Sequence, residues 1–68
     1  MTGNRVVSFE FDGKYVFATD NQGPDYRLTF IDDENANIHV LEEGREWRWV
    51  EHIHPDDAMA ELTARLDF

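Results

Sequence analysis

The residues best equipped for chemistry are three histidines, His39, His52 and His54, set among a dense population of carboxylates. A strand pairing that puts His39 and His52 on one face, with His54 two residues further on, would let two imidazoles and a loop carboxylate meet at a zinc ion. No acid is placed as a further ligand, however, and Arg48 falls opposite His39. The chain is therefore read as holding no metal and no cofactor. Asp33-Glu-Asn-Ala-Asn37 reproduces the first three alternating oxygen positions of a calcium loop. It lacks the glycine that should follow, and the twelfth position is Gly44 in place of a glutamate, so a solvated loop is the simpler reading.

Catalysis needs a nucleophile with a base, or a paired acid and base, inside a pocket. Ser8 is the only serine, no glycine-rich phosphate loop is present, and His54 beside Asp56 and Asp57 reads as a helix start. No catalytic residue is assigned, and the expectation is a protein that is not an enzyme.

The remaining side chains suit contact. Tyr15, Phe17, Arg27 and Arg48 are of the types enriched where proteins bind one another, and strand alternation puts all four on one face. Trp47-Arg48-Trp49 sends both indoles to one side of a strand and the guanidinium to the other. Pairing Val40 with Trp47 and Ile38 with Trp49 makes the tryptophans a core seam, and that register is preferred to one opposing Val40 with Arg48.

Five strands must position these groups. Arg5 to Phe11 and Lys14 to Thr19 flank Asp12-Gly13, a strong hairpin signal because a tight two-residue turn needs positive φ. The expected register opposes Phe11 to Lys14, Phe9 to Val16 and Val7 to Ala18. Gly23 and Pro24 break the next loop, Tyr26 to Ile31 alternates as a third strand, and Asn37 to Leu41 forms a fourth. Glu42 to Arg45 turns the chain into the tryptophan strand. Pro55 suits the first helical position, Asp56 and Asp57 complement the helix dipole, and Met59, Leu62 and Leu66 follow a helical spacing. His54 would be an unusual N-cap, and Phe68 is expected to tuck back as an anchor.

The fold class expected is α+β: one domain over residues 1–68, with an antiparallel five-stranded meander and one C-terminal helix packed on one face. A helix of about 12 residues is only about 18 Å long. It cannot cover five strands, so the sheet must curl toward a partial barrel or gain cover from another chain.

Composition narrows the partners. The 68 residues hold 15 acids against five Arg and one Lys, for a net charge of −9, and no cysteine. Repulsion from phosphates argues against direct binding to nucleic acid or an anionic membrane. There is no apolar run of the roughly 20 residues a membrane span needs, and none of signal-peptide length, so the expected location is cytoplasmic. Scarce lysine with abundant acid also suits halophilic adaptation to a salty cytoplasm. In a meander, the Asp12 turn, Asp32, Asp33 and Glu34, and Asp56 and Asp57 all fall at one end of the sheet.

The expected function is a non-catalytic acidic protein–protein interaction module or small regulator, homo-oligomeric through its sheet or presenting acids to a basic partner. Its expected contact residues are Tyr15, Phe17, Arg27, Arg48, Asp32, Asp33, Glu34, Asp56 and Asp57. The alternatives are an inhibitor that mimics nucleic acid to occupy a DNA- or RNA-binding protein, and a small histidine-based metal-binding protein.

Overall fold

The computed structural model describes residues 3–66. Its elements are β1 (Val7–Asp12), β2 (Tyr15–Asp20), β3 (Asp25–Phe30), β4 (Ala36–Leu41), β5 (Arg48–Ile53) and α1 (Pro55–Arg65). The strands lie in sequence order, each antiparallel to the next, in an open sheet followed by the single helix. This is the α+β meander that the alternation implies.

The first hairpin is closed by Asp12 opposite Tyr15, with Phe11 opposite Val16, Phe9 opposite Ala18 and Val7 opposite Asp20. The turn residues are therefore Gly13 and Lys14, and the expected Phe11–Lys14 pairing is displaced by two residues. Gly13 carries the positive φ, at 60°, so the turn starts at the glycine and Asp12 remains in its strand. A slide of two residues preserves side-chain parity, and so both faces of the hairpin keep the residues expected of them.

One face of the sheet carries Val16, Ala18, Leu28, Ala36 and Ile38, which pack with Ala58, Leu62 and Leu66 into the core. The helix lies on β3 and β4, at the middle of the sheet, and leaves the β1 end thinly covered: Phe11 is 71% exposed. Pro55 occupies the first turn, Asp56 and Asp57 follow it, and Arg65 stands in the last turn, as the helix dipole favours. His54 is indeed the N-cap, its Nδ1 accepting a hydrogen bond from the Asp56 amide at 3.1 Å. The expected anchoring by Phe68 lies outside the described residues.

Two polar ties close the edges of this core. Arg5 donates to Asp20 Oδ2 from Nε at 3.1 Å and from Nη2 at 2.7 Å, and Nη2 also donates to the Leu66 carbonyl. The segment before β1, the end of β2 and the end of α1 are thereby joined at one buried carboxylate. At the other edge Arg65 pairs with Glu51 on β5 and, at 3.2 Å, with Glu61 one turn earlier in the helix.

The fifth strand departs from the expected register. Ala36 faces Ile53 and Ile38 faces Glu51, but His39 faces Trp49 and Val40 faces Arg48. Val50 is thus an extra residue, a β-bulge that reverses parity between the two halves of β5. The tryptophans are not the core seam: Trp49 shares the face of His39 and is 57% exposed. Arg48 moves the other way, to the face of Val40, so its expected place beside Tyr15, Phe17 and Arg27 is corrected. The cause lies in the core, where Val50 and Ile53 both pack against the buried cluster. Two apolar residues three positions apart can share one face of a strand only if a bulge intervenes.

Candidate interaction face

The face turned away from α1 is built by alternate residues of all five strands. From β1 come Ser8, Glu10 and Asp12, from β2 Tyr15, Phe17 and Thr19, and from β3 Asp25, Arg27 and Thr29. Strand β4 adds Asn37, His39 and Leu41, and β5 adds Trp49 and His52. Trp47, just before β5, leans back across β4: its ring centroid is 6.3 Å from that of Phe17 on β2. Tyr15 continues the aromatic group at 5.8 Å from Phe17.

Arg27 lies within this group. Its guanidinium carbon is 4.8 Å from the Trp47 ring centroid and 5.8 Å from that of Tyr15, and the positive group is held by the electron-rich ring faces. Lys14 approaches Tyr15 as well, its Nζ 5.5 Å from the centroid. His39 is the direct cross-strand neighbour of Arg27. Burial, and then the Arg27 charge, push the His39 imidazole below its ordinary pKa, so the ring is neutral at pH 7. Arg27 Nε and His39 Nδ1 are closed to water and have no hydrogen-bond partner among the described residues. Trp49 completes the surface, its Nε1 donating to Asn37 Oδ1 at 3.3 Å.

Of the expected contact residues, the structure brings together Tyr15, Phe17 and Arg27. Arg48 stands apart on the other face, paired with Glu42 at 2.8 Å and two-thirds exposed. Trp47 and His39 join the cluster and Trp49 shares its face, although the tryptophans were expected in the core. The apolar spacing of Val50 and Ile53 is the sequence signal that places them.

The sequential strand order gathers Asp12, Asp32, Asp33, Glu34, Asp56 and Asp57 at one end of the sheet. Asp32 is already engaged there. It accepts from the Glu34 amide at 2.9 Å and from Asn35 Nδ2 at 2.8 Å, and these bonds hold its carboxyl below the usual range. Asn35 Oδ1 lies 2.8 Å from His52 Nε2. Of the oxygens in the loop that resembles a calcium motif, Asn35 Oδ1 is therefore taken by His52 and Asn37 Oδ1 by Trp49. His39, His52 and His54 do not converge, and no group of three metal-ligating side chains gathers among the described residues.

An open cleft of about 550 Å³ under the β4–β5 loop is lined by Val40, Glu42, Arg45, Glu46, Trp47 and Arg48. It mixes charges of both signs and is lined by no hydroxyl, thiol or imidazole. No helix among the described residues is long and apolar enough to cross a membrane. No family model matches the chain, nor does any curated protein or any solved structure.

Proposed function

We propose that the protein is a non-catalytic interaction module that binds another protein through the face opposite its helix. The observation that supports this most is the aromatic group of Tyr15, Phe17 and Trp47 around Arg27, with exposed Trp49 on the same face, which no described helix or strand covers. Tryptophan, tyrosine and arginine are the side chains that contribute most when an interface forms, because each offers a large rigid area and a polar tip. None of these four aromatics belongs to the buried core. Its buried cluster is made of small and aliphatic residues on the helix side.

The competing reading is mimicry of nucleic acid by the six carboxylates at one end of the sheet. It rests on their placement, and it is weakened by Asp32, whose carboxylate is tied into its own loop.

The two readings separate by photocrosslinking in the cell of origin. A benzoylphenylalanine at Trp49 should give a discrete crosslinked protein, whereas the same residue at exposed Ala60 on the helix should not. Charge reversal at Asp33, Asp56 and Asp57 should leave the Trp49 crosslink in place. Loss of the crosslink on charge reversal would favour mimicry, and equal labelling from both positions would remove the proposed face.

A further inference from the structure

The electrostatics of the helix-free face specify more than an aromatic contact. The chain carries 15 acids; Arg5 and Arg48 each hold one of them and Arg65 holds two. Arg27, half-buried at the centre of the face, pairs with aromatic rings and with no carboxylate among the described residues. Its Nε is shut away from water with no acceptor among the described residues, and the neighbouring His39 Nδ1 is likewise buried without a partner among them. A buried donor left without a partner is costly, and a charged one more so. The acids of this face lie away from Arg27: Glu10 and Asp12 on the edge strand β1, and Asp25 at the start of β3. The pattern is a positive centre with acids on its β1 side and at the start of β3.

Resting on the reading above, we propose that the occupant of this face is a segment of another protein that is basic overall and carries one central carboxylate, which pairs with Arg27. The carboxylate supplies the acceptor that Arg27 lacks, at a half-buried guanidinium whose Nε is already closed to water. Charge-assisted pairs of this kind are short and roughly twice as strong as neutral ones. Lysines or arginines flanking that carboxylate match Glu10, Asp12 and Asp25. Trp47 and Tyr15 lie over the guanidinium, so the carboxylate displaces one ring to reach Nε, and the ring then packs on the incoming chain. A second copy of this protein fits less well, because two chains of net charge −9 would repel each other.

Selecting a phage-displayed random peptide library on the full chain, and then studying the selected peptides as synthetic probes, tests this directly. Selected sequences should carry one Asp or Glu among apolar residues, with Lys or Arg flanking it. Each should shift the indole Nε1–H signals of Trp47 and Trp49 in ¹H–¹⁵N spectra. Arg27→Gln should weaken binding by about ten- to a hundredfold. Replacing the peptide acid by its amide should weaken it similarly, and the two changes together should add little. Should Arg27→Gln fail to fold, the peptide-side change decides alone, and Glu10→Lys, at an exposed edge position, should lower affinity for the basic flanks. Peptides that shift both indoles but contain no acid, or that bind Arg27→Gln equally, would overturn the carboxylate while leaving the interaction face standing. Peptides that shift neither indole would remove the face itself. Self-association in sedimentation velocity accompanied by the same indole shifts would replace the partner with a second copy and overturn the proposal.

Discussion

His39 stands next to Arg27 on the uncovered face, and both influences on it act in one direction. Burial, the larger, and the guanidinium charge each disfavour the protonated ring. The folded pKa therefore lies below the unfolded value of about 6.5. As pH falls below that value the unfolded chain takes up the proton first, so His39 contributes stability at neutral pH that is lost as pH drops toward the folded pKa. An NMR titration should place the His39 midpoint below the ordinary imidazole value. Arg27→Gln should raise it without restoring it fully, because burial remains; a midpoint at or above the ordinary value would contradict the packing described. Asp20 titrates by the same logic in the acid range. The Arg5 hydrogen bonds, and after them the Gln22 amide, hold its carboxyl below the usual value. Its contribution is present above about pH 4 and lost as pH falls through the lower folded pKa.

Strand β5 decides which side of the sheet is available. Its bulge at Val50 lets Val50 and Ile53 both reach the core while Trp49 turns to the opposite face. Glu51 is left on the helix side, where Arg65 holds its carboxyl below the usual range and where its own closeness pushes Glu61 up. Deleting Val50 should restore strict alternation while each neighbour keeps its side, Arg48, Glu51 and Ile53 toward the helix and Trp49 and His52 away from it. The loss is then the packing of one partly buried valine against the core, about 1–2 kcal/mol. Chemical denaturation should report a loss of that size, and acrylamide quenching of the indoles should be unchanged. Weaker quenching would show that β5 had slid along β4 and that Val50 holds the register of the tryptophans.

For the molecule as a whole, charge and coverage act together. A net charge of −9 on a chain this small opposes compaction through self-repulsion, which salt screens. Added KCl should therefore raise the thermal unfolding midpoint, with the steepest gain at low ionic strength. A midpoint that continues to climb into the molar range would support the halophilic adaptation expected from composition, whereas a plateau near physiological salt would attribute the effect to simple screening. Coverage is the second whole-molecule property. One short helix on β3 and β4 leaves Phe11 exposed beyond its reach on the near face, and Trp49 exposed on the face it does not touch.

Strand and helix types, the number of strands and the two faces of the first hairpin were legible from local chemistry, because apolar alternation, Gly13, Gly23-Pro24 and Pro55 act within a few residues of themselves. The hairpin register could slide by two without harm, since parity survives such a slide. The contact face was legible only in part: Tyr15, Phe17 and Arg27 follow from alternation, but Arg48 and the tryptophans exchange sides across one extra residue. That exchange is settled by a competition for the core, in which the small, branched side chains of Val50 and Ile53 fit under α1 and two indoles do not. Local pattern can state that Trp47 and Trp49 share a side. Only tertiary packing decides which side, because the deciding term is the space left between the sheet and its helix.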